Sequence, residues 1–75
     1  MFPITSRVTC VRAAPGVYRL YCQSRQIGEA VTIDDDSLYV SHSFTENGRV
    51  VASLRGAARW LEAIEDAIAP PLAAA

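Results

Sequence analysis

The sequence predicts an α+β domain: an antiparallel β-meander of four or five strands, with one C-terminal amphipathic α-helix packed on one face. Two observations lead there. Runs rich in Val, Ile, Tyr and Thr fill residues 7–54 and are broken by turn-forming clusters at Pro15-Gly16, 25–28, 34–37 and Asn47-Gly48. From residue 55 the apolar positions change to three- and four-residue spacing, the period of a helix.

Taken in order, strands are expected near 7–13, 17–24, 29–33, 38–45 and 49–54, followed by a helix over 55–69. Asn47-Gly48 suits a type I′ turn, in which both central residues need positive φ. That turn would pair Glu46 with Arg49, Phe44 with Val51 and His42 with Ser53. The acidic turn at 34–37 would pair Ile33 with Leu38, Val31 with Val40 and Glu29 with His42. The loop 25–28 would pair Ser24 with Glu29, Cys22 with Val31 and Leu20 with Ile33. Placed separately, the three turns put Leu20, Cys22, Val31, Ile33, Leu38, Val40, Phe44 and Val51 on one face. A one-residue slip at any of them would split that set. One register of the hairpin around Pro15-Gly16 sets Cys10 beside Cys22, both inward.

The helix presents Ala57, Trp60, Leu61, Ile64, Ala67 and Ile68 as one apolar stripe for the inner sheet face, and Ser53 is a suitable N-cap. Pro70 and Pro71 stop it. A single domain over 6–69 is expected, with residues 1–5 and 70–75 as flexible termini.

Seventy-five residues make one small domain, and 51% hydrophobic content is enough for a core even though twelve of those residues are Ala. The formal charge of −1 removes the electrostatic case for a strong polyanion binder. All seven basic residues are Arg. A guanidinium fork suits phosphate or carboxylate, but with so many Ala the simpler account is the GC-rich coding common in bacterial and phage genomes. The N-terminus lacks the basic start and apolar run of a signal peptide, and no stretch approaches the roughly 20 apolar residues of a membrane span. A cytoplasmic protein with reduced Cys10 and Cys22 is the expectation.

Candidate sites follow from the register. Ser24, Glu29, His42 and Ser53 would form a polar row across four strands, where the helix begins. As a structural rim, Glu29 would orient the imidazole and Ser53 would cap the helix. As a relay, Ser53 would be the nucleophile and His42 the base, but the cap competes for the hydroxyl and no nucleophile elbow surrounds it. Cys10, Cys22 and His42 share a face without metal-ligand spacing. The run from Asp34 to Asp36 lacks the Gly and distant Glu of a calcium loop. Neither an enzyme nor a metal or other cofactor is expected.

On the outer face Tyr21, Thr32 and Tyr39 would form a row, with Arg19 diagonal to it and Val11, Ala30, Ser41, Ala52 and Leu54 around it. Such a surface suits a protein contact, or stacked bases of a single strand. The helix carries Arg55 and Arg59 early and Glu62, Glu65 and Asp66 late, against its dipole. The stripe of Arg55, Arg59, Glu62 and Asp66 is complementary to itself when run antiparallel in a two-fold dimer. The functional expectation is a small non-catalytic protein-interaction module that self-associates as a homodimer. The alternative is a weak single-stranded nucleic-acid binder using Tyr21, Tyr39 and Arg19. The order of strands followed by a helix is similar to that of dimeric coactivators that bind single-stranded DNA. That resemblance is one of element order alone, and the chain lacks their basic character.

Overall fold

Connections of two to five residues join most neighbouring strands, too short to do anything but turn the chain back on itself, so a meander results. The computed structural model describes residues 1–68. Its elements are β1 (Phe2–Pro3), β2 (Val8–Ala14), β3 (Val17–Cys22), β4 (Arg25–Asp34), β5 (Ser37–His42), β6 (Gly48–Val51) and α1 (Leu54–Ile68). The sheet runs β1-β2-β3-β4-β5-β6 with every neighbour antiparallel. The α+β meander is therefore as predicted, with six strands in place of four or five. The sixth comes from the segment expected to be loose, where Phe2 pairs with Cys10 and Pro3 with Thr9. Residues 70–75 lie outside the described residues.

Register departs from expectation at every hairpin, and each departure has a local cause. Cys10 lies opposite Leu20 and Cys22 opposite Val8, so both thiols face inward but not each other. The β3–β4 turn is Gln23-Ser24, with Gln23 at φ 60°, and not the loop 25–28. Arg25, Gln26 and Ile27 then belong to β4, where a bulge leaves Ile27 and Gly28 both buried. The acidic turn falls where expected, but the pairing shifts between Thr32 and Asp34. One residue is enough to exchange faces: Gly28 and Ala30 point inward, opposite His42 and Val40, while Glu29 lies opposite Ser41 and Val31 opposite Tyr39. Val31 and Ile33, expected in the core, are exposed.

The reason is the helix. A Cβ on Gly28 would fall 2.6 Å from Leu61 Cδ1 and 2.6 Å from the Ser41 carbonyl oxygen. Only the small side of β4 admits so close an approach. At the last hairpin, Asn47-Gly48 does not turn the chain. Residues 43–47 form the loop and Gly48 opens β6, opposite Ser41. Gly48 has no positive φ; the Tyr39 hydroxyl lies where a Cβ would be, so a larger residue there would displace the tip of that ring. Phe44 is consequently an exposed loop residue, neither opposite Val51 nor in the core.

The core is Val8, Leu20, Ile27, Ala30, Val40, Ala57, Ala58 and Leu61, flanked by half-buried Tyr18, Leu38, Val51, Leu54 and Trp60. Ser53 caps α1 as expected: its Oγ accepts the Gly56 N–H at 3.0 Å and its carbonyl the Ala57 N–H at 3.0 Å. Of the predicted stripe, Ala57 and Leu61 are buried, but Ala67 and Ile68 are exposed. Gly28→Ala should destabilise the fold by about 1–3 kcal/mol through overpacking, read from the urea midpoint. An unchanged midpoint would refute the close approach of helix and sheet.

Candidate functional site

Alternation along β5 puts His42 on the inner face with Leu38 and Val40, and its side chain is fully buried. Its partner is not Glu29 but Glu65, reached from the helix: Nε2 lies 2.6 Å from Glu65 Oε2. The other ring nitrogen, Nδ1, lies 3.0 Å from Thr45 Oγ1 and accepts the Phe44 N–H at 3.3 Å. A nitrogen that accepts from a backbone N–H carries no proton, so the neutral ring is protonated at Nε2 and donates to Glu65. Thr45 then donates to Nδ1, and its oxygen accepts from the Asn47 backbone N–H and side-chain amide at 3.3 and 2.9 Å.

Arg25 completes the group. It pairs with Glu65 Oε1 and lies 4.2 Å above the centre of the Phe44 ring, which itself meets His42 edge-on. Burial alone would raise the pKa of Glu65, but the hydrogen bonds from His42 and Arg25 outweigh it and hold the carboxyl below its ordinary range. No buried side-chain polar atom among the described residues lacks a partner.

The predicted row of Ser24, Glu29, His42 and Ser53 is not assembled. Ser24 is exposed in the β3–β4 turn, Glu29 lies on the outer face beside Arg19, and Ser53 is engaged in its cap. The binding residues are redistributed as well. Thr32 lies opposite Leu38 on the inner side, and its N–H donates to the Gly16 carbonyl at 2.8 Å. Ala30 is buried inward and Leu54 packs on the core from the helix. Tyr21 and Tyr39 do share the outer face, but in different rows, two strands apart. Between them run Val11, Arg19, Glu29 and Ser41. Arg19 Nε is 3.9 Å from Glu29 Oε2.

What the register builds instead is an apolar row of Val17, Val31, Tyr39 and Val50 across four adjacent strands. It was hidden by the one-residue shift. The signal that could have found it is the small pair Gly28 and Ala30 alternating with Glu29 and Val31, which marks the side of β4 a helix can approach.

On the helix, Glu62 accepts from Thr5 Oγ1, and Asp66 receives Arg7 Nη1 and Nη2 at 3.3 and 3.1 Å. The Arg7 hydrogen bonds hold the Asp66 carboxyl below its usual range. Two of the four residues of the predicted self-complementary stripe are thus partnered within the chain, while Arg55 and Arg59 are exposed. Asp34 spends its carboxylate on its own turn, accepting from the Asp36 N–H and Ser37 Oγ at 2.9 Å each. Burial pushes the Cys10 thiol pKa up. Among the described residues no cluster of three or more His, Cys, Asp or Glu is placed to hold a metal, and no helix is long and apolar enough to cross a membrane.

The chain matches no protein-family model, no curated protein and no solved structure.

Because Glu65 has a folded-state pKa below its ordinary 4.5, the stability it contributes is present above that pH and is lost as pH falls through the folded value. The urea midpoint should therefore decline below about pH 4.5. Glu65→Gln should flatten that decline, leaving the slope due to Asp34 and Asp66, which are lowered too. A slope identical in the variant would show that Glu65 is not held in this way.

Proposed function

We propose that this protein is a non-catalytic interaction module that binds a protein surface, a second copy of itself included, through the helix-free face of its sheet. One observation carries the reading: Val31, Tyr39 and Val50 are neighbours on adjacent strands and are 40%, 46% and 54% exposed. Ile33, further along β4, is 53% exposed. Scattered exposed apolar residues need no explanation, but a contiguous set does. Among the described residues a single helix covers one side of the sheet and leaves the other bare.

The chemistry beside the row favours a protein over a nucleic acid. Arg19 and Glu29 present both signs of charge next to the apolar strip, and tyrosine is among the preferred residues of protein contacts. A strand of nucleic acid would need successive bases stacked on neighbouring rings and cations free for phosphate. Tyr21 and Tyr39 are separated by a polar row, and Arg19 is shared with Glu29.

Light scattering tests the reading. The wild-type chain is expected to exceed the monomer mass at tens of micromolar, and Tyr39→Glu to return it to monomer with an unchanged far-ultraviolet spectrum. A mass increase seen only with a short single-stranded oligonucleotide, and reversed by salt, would replace this reading with nucleic-acid binding.

A further inference from the structure

We propose that two copies of this chain join edge to edge through β6, antiparallel about a two-fold axis at Val50, so that their sheets become one. The inference rests on the self-association just described and specifies its geometry. The sheet has two edges, and they are unequal. β1 is two residues long and includes Pro3, which has no N–H to offer. β6 is twice as long and has neither Pro nor a bulge; its single charged residue, Arg49, lies opposite Val40 on the helix side of the sheet.

The backbone of β6 also determines how it can pair. The His42 N–H donates to the Asn47 carbonyl at 3.0 Å, in the same register that sets Ser41 opposite Gly48 and Val40 opposite Arg49. Antiparallel pairs alternate between hydrogen-bonded and non-bonded. Arg49 and Val51 therefore bond to β5, while Gly48 and Val50 turn their N–H and C=O groups to the open edge.

Registers of a second β6 can then be compared. A pairing centred on Arg49 places two guanidinium groups directly across from each other, which is unfavourable. A pairing centred on Val51 sets Val50 opposite Ala52, past the end of β6, and Gly48 opposite Leu54, the first residue of α1. Centred on Val50, each Val50 exchanges both its bonds with Val50 of the second copy inside the strand, and Gly48 meets Ala52, one residue past its end. Arg49 then faces Val51. The outer row becomes continuous across the axis: Val31, Tyr39 and Val50, then the same three in reverse.

The helices agree with this arrangement. The nearest residue outside the cap to a Cβ on Gly56 is Val51, 3.8 Å away, so that flank of α1 faces the β6 edge. Trp60 and Ile64, four and eight residues on, share the flank and are only half-buried. A two-fold axis normal to the sheet puts both helices on one side, with these apolar flanks turned toward one another. The opposite flank carries Glu62 and Asp66, which are held by Thr5 and Arg7. In this arrangement that flank lies away from the two-fold axis.

Amide hydrogen exchange of the full chain, followed by NMR from dilute to concentrated solution with the mass measured alongside, tests the arrangement. Arg49 and Val51 should be protected throughout. Val50 and Gly48 should slow by tenfold or more as the dimer forms. Val50→Pro removes an outward N–H that no bond to β5 uses, so it should raise the dimer dissociation constant at least tenfold, and well beyond Val50→Ala, which loses the side chain but keeps the N–H, while the spectrum of the folded chain persists. A dimer whose Val50 amide exchanges freely, and which Tyr39→Glu still dissociates, overturns the edge pairing and leaves the face contact standing. A monomer at every concentration overturns both.

Discussion

Leu61 rests on the backbone of β4 at Gly28, and the face assignment of the sheet depends on that contact. A buried leucine contributes about 1.5–3 kcal/mol by leaving water, and it can do so here only where β4 has no side chain in the way. Gly28 and Ala30 are thereby drawn to the inside, opposite His42 and Val40. Their neighbours Glu29 and Val31 are sent to the outside. The exposed row that marks this protein is thus the reverse side of its tightest helix contact.

The same proximity decides how polar groups enter the interior. Glu65 comes one turn of helix after Leu61 and so arrives over the sheet where His42 points inward. A buried carboxylate without partners would be costly, but here one oxygen accepts from His42 and the other from Arg25. The network extends through Thr45 to Asn47, so the loop 43–47 is tied to the helix by the ring that its own strand supplies. His42 is a junction between the helix, the start of β4 and the β5–β6 loop. Its two nitrogens are both occupied, which makes its role in the fold one of joining elements.

Covering one face with a single helix leaves a large sheet half-clothed. The helix contacts β4, β5 and β6, and the β1–β2 connection reaches over to its acidic C-terminal turns through Thr5 and Arg7. These pairs account for acids placed against the helix dipole: their partners lie in another part of the chain. Among the described residues the outer face receives no such covering. Its apolar row runs to the open β6 edge, so an exposed surface and unpaired backbone groups meet at Val50.

The meander, the terminal helix, the Ser53 cap and the inward placement of His42, Leu20, Cys22, Leu38, Val40 and Val51 were all legible in the sequence. They depend on local signals: alternation, turn-forming residues, and a change of period at residue 55. Register was not legible, because several turns fit each connection and their energies differ by less than one tertiary contact. The chain turns at Gln23-Ser24, which leaves Ile27 in β4 and buried, and through 43–47 rather than at Asn47-Gly48, which brings the Tyr39 hydroxyl over Gly48. The sequence by itself determined five of the six strands, the helix and their order, while β1 formed only because Phe2 and Pro3 found the edge of β2. Tertiary structure decided which side of β4 is the inside, and hence the partner of His42 and the composition of the outer row, because a helix can approach a sheet closely only over its smallest side chains.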